Sequence, residues 1–287
     1  MLYLCEPMQI VKGDGTVEEF DIHKLEMSME RSGAPKATAE KVARNIAETI
    51  TDGMTTSVIY TNAFKALKKE EKTMAARYSM RRAILELGPT GFPFEDFFCE
   101  LMRSEGYNAK VRQVVQGRCT EHEVDVLLEK DGARIGAELK FHNTHGFKTD
   151  LRTALYVRAR FWDIEFGAED RNETCPVDEG WLVTNTKFTG NAVRYAECAG
   201  IKILGWDYPQ GNSLADIIQR SGLYPLTVLT SISRKEEAAL FAQGVTLCKH
   251  IVENPDVLTK AGIPKRKHQE VIDESSALCG RNVSAGA

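Results

Sequence analysis

Hydrophobic positions recur at i, i+3 and i+4 over four stretches early in the chain, and each predicts a helix with one apolar face. Residues 24–32 carry Leu25 and Met29, and residues 38–51 carry Val42, Ile46 and Ile50. Residues 56–69 carry Ile59, Ala63, Phe64 and Leu67, and residues 73–87 carry Ala76, Met80, Ala83, Ile84 and Leu87. Before them, runs at 9–12 and 16–20 flank Gly13-Asp14-Gly15 and predict a β-hairpin. Gly53 fits a helix stop, with Thr55 or Thr56 capping the next helix. The stretch Gly88-Pro89-Thr90-Gly91-Phe92-Pro93 cannot continue a helix and marks a domain boundary.

Beyond that boundary the pattern changes. A helix carrying Phe94, Phe97, Phe98, Leu101 and Met102 precedes strand patterns at 110–115, 124–128 and 134–141. A long helix over 150–163 follows, then a strand at 180–184, a helix at 190–199 and a strand at 201–206. The order α-β-β-β-α-β-α-β predicts a mixed sheet covered by helices. From 211 onward the pattern is helical and loop-rich, with Ser233 and Glu236 spaced for a capping box and 281–287 expected to be disordered. Gly262-Ile263-Pro264-Lys265-Arg266-Lys267 reads either as a basic helix start of the helix–hairpin–helix kind or as a packing or dimerisation element. The expected class is α/β (α+β) in three domains: 1–90, mostly helical; 91–210, the mixed sheet; and 211–287, a small helical accessory.

Composition narrows the function classes. The chain has 287 residues, 43% hydrophobic and 27% charged, which suits a folded globular protein. A net charge of −4 argues against a generally basic nucleic-acid coat and leaves room for a local basic groove. No uncharged apolar run approaches the roughly 18 residues of a membrane span. The first residues show no basic stretch before a short apolar one, so the expectation is a cytoplasmic protein without a signal peptide. Seven scattered cysteines, none in CxxC spacing, read as reduced thiols and not as a zinc site.

The chemistry concentrates in one hairpin. Asp131-Gly132 is a strong two-residue turn signal between the strands at 124–128 and 134–141. With that turn, Val124, Val126 and Leu128 face Leu139, Ala137 and Ile135 on one apolar side. The other side sets Asp125 against Glu138 and Glu123 against Lys140, with opposed Cβ atoms about 4.5–5.5 Å apart. Two carboxylates so close repel unless a divalent cation sits between them, and Mg²⁺ or Mn²⁺ takes such oxygen ligands. Lys140, two residues on, shares the face and could orient water or neutralise phosphate. The same pattern also fits a solvated, salt-bridged hairpin face. His142 and His145 fit a polar strand-end loop better than a metal pair, and Arg152, Arg158 and Arg160 fit either phosphate contact or a solvated helix face.

The segment Asp125-x12-Glu138-x-Lys140 resembles the PD-(D/E)xK nuclease signature. Its setting is similar to that of the Mrr-type restriction nucleases: Phe94-Glu95 on a helix, Gly106-Tyr107, then Gly180-Trp181-Leu182-Val183-Thr184-Asn185, Phe188-Thr189 and Ala192…Ala196. That resemblance covers about 94–208 and implies catalytic roles for Asp125, Glu138 and Lys140. Asp125 and Glu138 would be the metal ligands and Glu95 a supporting acid. The loop before Asp125, Thr120-Glu121-His122-Glu123, is more acidic than usual for that family. Residues 8–88 resemble the ATP-cone, a nucleotide-sensing domain. The resemblance rests on Ile10-Val11-Lys12-Gly13-Asp14-Gly15, Glu18-Glu19-Phe20-Asp21, Lys24-Leu25, Asp52-Gly53-Met54-Thr55-Thr56 and Ala75-Ala76-Arg77-Tyr78. It implies that Lys12, Glu18, Asp21, Lys24 and Thr56 line a pocket for ATP or dATP. Gly13 stands where a basic residue is usual, which removes one phosphate contact. Together these resemblances imply a nucleotide-regulated, Mg-dependent endonuclease acting on nucleic acid, DNA ahead of RNA, as a homo-oligomer (dimer or tetramer), with defence against foreign DNA as its role. The alternative is a non-catalytic, nucleotide-responsive DNA-binding regulator on a nuclease fold.

Overall fold

The computed structural model of the chain describes residues 8–13, 15–88, 90–144 and 146–279. His145 and the tail 281–287 lie outside the described residues. The chain divides into two compact units, one ending at Arg82 and the other beginning at Ala83.

In the first unit β1 (Gln9–Val11) and β2 (Val17–Glu19) form the expected antiparallel hairpin. The helices α1 (Ile22–Arg31) and α2 (Lys36–Ala47) follow. Asp21 caps α1, its carboxylate accepting the His23 N–H at 2.9 Å. A strand the periodicity did not predict, β3 (Met54–Thr55), pairs parallel to β1. Two residues are too few to show a period, and only the neighbouring strand defines it. α3 (Thr56–Glu70) follows, with Thr55 capping it through the Val58 N–H, and the unit ends within α4 (Lys72–Leu85). The apolar stripes converge on one core of Leu25, Met29, Val42, Ile46, Ile59, Ala63 and Leu67.

The second unit opens with α5 (Phe92–Ser104), whose Pro93 sits in the first turn, where a missing N–H costs nothing. Its Phe94, Phe97, Phe98 and Leu101 are fully buried. The strands β4 (Asn108–Gln116), β5 (Glu121–Lys130) and β6 (Ala133–Lys140) form an antiparallel meander. Asp131 and Gly132, at φ 52° and 82°, make the primed turn that the sequence called for. The predicted register holds from Lys130↔Ala133 to Val126↔Ala137. After β7 (Lys148–Thr149) come α6 (Leu151–Asp170), β8 (Glu179–Thr184), β9 (Lys187–Phe188), α7 (Gly190–Ala199) and β10 (Lys202–Leu204). The sheet order is β10-β8-β6-β5-β4, with β6, β8 and β10 parallel. α6 outruns its expected end at 163. Gly167 is the place where the helix meets the Gly117–Arg118 backbone; an added Cβ would come within 2.5 Å of it.

The remaining helices are α8 (Leu214–Ser221), α9 (Arg234–Phe241), α10 (Cys248–Glu253), α11 (Asp256–Lys260) and α12 (Lys265–Cys279). They belong to the same compact unit as the sheet. Arg220 on α8 pairs with Glu105 at 2.9 Å, and Lys249 on α10 pairs with Glu100 on α5 at 2.7 Å. The whole is a mixed α+β protein. No helix among the described residues is long and apolar enough to cross a membrane.

Candidate functional site

β6 lies in the middle of the sheet, antiparallel to β5 and parallel to β8. α6 lies close against one face of it. A Cβ on Gly136 would approach the Phe161 ring at 2.6 Å, and Gly180 on β8 faces the same ring. Glu138 is therefore buried, at 2% exposed, so it does not belong to a solvated hairpin face. Lys140 Nζ donates to Glu138 Oε1 at 2.5 Å, and the Arg160 guanidinium reaches from α6 to Oε2. The expected cross-strand pair of Lys140 with Glu123 does not form. The β5–β6 pairing ends at Val126↔Ala137, and a desolvated carboxylate competes for Lys140 better than the exposed Glu123 does. Arg160 takes the Glu123 carbonyl oxygen at 2.9 Å.

Asp125 is brought against this group. Its carboxylate accepts the Leu139 N–H at 2.6 Å where the ladder stops. Burial first, and then the charge of Glu138, push its pKa up to about 7, against the pull of the Leu139 amide and Lys140. Glu95, in the first turn of α5, adds to that lift. Glu95 is itself buried and held at 3.1 Å by Arg112, which also takes Asp96 at 2.8 Å. Burial raises the Glu95 pKa, and Arg112 works against that rise. Arg112 has φ 51° in the middle of β4, where the β4–β5 pairing skips the position facing Asp125. A left-handed non-glycine residue costs on the order of 1–3 kcal/mol and tends to be kept where it aims a side chain.

Of the three candidate arginines only Arg160 enters this cluster. Arg152 is exposed beside Asp150, and Arg158 stacks over Trp162 at 4.6 Å. Tyr156, one turn before Arg160, bonds it through its hydroxyl and offers its ring to Lys140 at 5.5 Å. Sequence reasoning passed over Tyr156 and Arg112. The i, i+4 spacing of Tyr156 and Arg160 was a usable signal, but nothing local marks Arg112. At the strand end Thr184 donates to the Lys140 carbonyl at 2.8 Å, and Asn185 brackets the His142 N–H and C=O. The His142 ring stacks on Phe147 at 3.9 Å, and burial lowers its pKa, as fits a strand-end loop residue.

Asp125 and Glu138 together offer a donor set that suits a hard divalent cation keeping most of its waters. The upward push on Asp125 is the cost that such a cation would relieve. Among the described residues no group of three or more His, Cys, Asp or Glu is arranged to hold an ion. The protein would thus supply two carboxylates, and Arg160 would have to share Glu138.

In the first unit Lys12 and Lys24 converge on Glu18, at 2.6 and 3.1 Å. Lys12 is the main reason the Glu18 pKa is lowered. Glu18, Asp21 and Lys24 line an open cleft of about 480 Å³ together with Glu19, Phe20 and Ile22. Val11 pairs with Thr55, so Lys12 and Thr56 directly follow the last paired residues of β1 and β3. The five residues expected to line a nucleotide pocket thus fall around the β1–β2 hairpin and the starts of α1 and α3. Asp21 also serves there as a helix cap.

Residues 8–86 match the ATP cone domain, and residues 224–279 match the AF1548-like C-terminal domain. The first unit is thus an ATP-cone, whose family is one of nucleotide-binding regulatory domains. An uncharacterized protein of Archaeoglobus fulgidus is 37% identical over 181 residues, covering 63% of this chain and 98% of the relative. The crystal structure of AF1548, a protein of unknown function, is similar with a TM-score of 0.56 at 34% identity, over 67% of this chain and all of the other.

Proposed function

We propose that this chain, a member of the AF1548-like family that carries an ATP-cone, is a nucleotide-regulated endonuclease. In this reading it hydrolyses phosphodiester bonds with Mg²⁺ or Mn²⁺, in DNA ahead of RNA, and a role against foreign DNA would follow. The observation that carries the reading is Asp125 held against buried Glu138, with Lys140 on the same carboxylate. Opposed buried carboxylates destabilise a fold, and a protein that only bound nucleic acid would have no use for them.

Asp125 and Glu138 would hold the cation. When bound, it supplies Lewis-acid polarisation of a phosphate and a more acidic water. Lys140 is placed to orient that water or to neutralise phosphate charge. Arg160 and Tyr156 present a guanidinium and a phenol beside it, groups that suit phosphate oxygens. In the ATP-cone, Lys12 and Lys24 would pass from Glu18 to nucleotide phosphates.

The test is plasmid nicking by the full chain, with and without Mg²⁺ and with ATP or dATP. Asp125→Ala and Glu138→Ala should abolish nicking while the fold survives. Lys140→Ala should lose roughly 10²–10⁴-fold in turnover yet keep most Mn²⁺ affinity by calorimetry. Full cleavage by both carboxylate variants would refute the assignment. A second reading, a nucleotide-responsive DNA-binding regulator without catalysis, is favoured by one observation: Lys140 and Arg160 already neutralise Glu138. Salt-dependent DNA binding with no nicking under any of these conditions would establish it.

A further inference from the structure

α6 has two apolar faces, and the fold uses one of them. Ala154, Val157, Phe161, Ile164 and Ala168 are buried in the unit's core. Leu155, Ala159, Trp162 and Phe166 point to solvent, with Leu155 at 45%, Trp162 at 43% and Phe166 at 42% exposed. Their alternating steps of four and three residues form a single stripe, the spacing that helices use to pack side by side at a shallow angle. One step further in each direction the same alternation reaches Arg152 and Glu169, both exposed and of opposite charge.

The stripe is self-complementary. Reversed about the midpoint between Arg160 and Phe161, Arg152 falls on Glu169, Leu155 on Phe166, and Ala159 on Trp162. Cation meets anion at both ends, aliphatic meets aromatic, and the largest side chain lies over the smallest. Along one flank Arg158 and Glu165 only just approach each other within one chain, at 4.0 Å, and the Arg158 Nε is buried without a hydrogen-bond partner. A twofold interface requires a patch that complements itself in this way, because each residue meets its counterpart's partner twice. A nucleic-acid surface would be basic throughout, whereas Glu165 and Glu169 border this stripe.

We propose that the exposed face of α6 binds the α6 of a second copy of this chain, antiparallel, about a twofold axis near Arg160 and Phe161. A single helix pair is small beside a standard interface, so the dimer forms in a concentration-dependent way. The pairing stands without the nuclease reading. If that reading holds, Tyr156 and Arg160 on the adjoining face of α6 place one candidate site on each side of the axis, one for each strand of a duplex.

The full chain would be followed by sedimentation velocity from nanomolar to high micromolar concentration, with circular dichroism as the check on folding. The wild type should reach the mass of two chains. Trp162→Asp should stay at the mass of one chain while remaining folded, with only the small loss of melting temperature that losing the Arg158 stack brings. Arg152→Glu and Glu169→Arg should each weaken association roughly tenfold, because the twofold counts every reversal twice. The double reversal should restore association. A wild type that stays single throughout, a Trp162→Asp variant that pairs normally, or a double reversal weaker than both single ones would each overturn the proposal. So would a single-chain wild type whose DNA binding depends on Trp162, which would assign the stripe to nucleic acid.

Discussion

At Asp125 two effects oppose each other, and burial outweighs the hydrogen bond. The Leu139 amide and Lys140 favour the carboxylate, while desolvation and Glu138 favour the acid strongly enough to lift its pKa from an ordinary 3.8 to about 7. An acid whose pKa is raised by folding holds a proton that the unfolded chain releases. Its charge therefore costs nothing below about pH 4, costs progressively more up to pH 7, and costs the full amount above. Asp125→Asn keeps an oxygen for the Leu139 N–H and removes the charge. Without divalent cation it should melt above wild type at pH 8, by a few kcal/mol at most, and together with wild type at pH 4. Thermal scans across pH read this directly, and a lower melting temperature at pH 8 would mean that the Asp125 charge is stabilised where it stands.

Among the elements, the hairpin of β5 and β6 was legible because turn chemistry and alternation agree over a dozen residues. The capping box of α9 was legible for the same local reason: Ser233 and Glu236 are three apart and satisfy each other's backbone groups. The structure adds Lys267 of α12, which reaches Glu236 at 2.7 Å and so ties two helices through one carboxylate. Lys267 first, then the Ser233 amide, hold the Glu236 pKa down to about 2. A depressed acid contributes stability above its unfolded pKa and loses it as pH falls through the folded one. Glu236→Gln should thus cost about 1 kcal/mol at pH 7, the size of a lost cap. The difference should close between pH 4.5 and 2, as followed by urea melts at each pH. Equal stability of the two proteins at pH 7 would show that the cap and its lysine contribute nothing.

For the whole molecule the open question is what the ATP-cone does to the rest of the chain. A nucleotide can act only by binding two states unequally, and a tenfold preference shifts their balance by about 1.4 kcal/mol. That is enough to change the dominant species when the two are nearly matched. Lys12→Ala combined with Lys24→Ala removes both cations that now converge on Glu18. The expected outcome is loss of any ATP or dATP effect on oligomeric mass and nicking rate, measured by mass photometry and a nucleotide titration. If wild-type mass and rate both stay flat to millimolar nucleotide, the domain does not regulate. If the double variant responds fully, the phosphates are held elsewhere.

The sequence by itself determined what depends on near neighbours. It set the four amphipathic helices of the first unit, the Asp131-Gly132 turn and its register, the capping box and the order of the longer elements in the second unit, but not the two-residue strands β7 and β9, which define each other. It also placed Asp125, Glu138 and Lys140 on one hairpin. Only the tertiary structure decided what surrounds them. β8, arriving more than forty residues later, buries Glu138, and α6 crosses over Gly136 and Gly180 to deliver Arg160 and Tyr156. Arg112 turns toward Glu95 through a backbone angle that no residue pattern announces. β3 exists only because β1 pairs with it. Periodicity records which face of an element is buried but not which element covers it, and a charge such as Glu138 acquires its partners from chain far away in sequence.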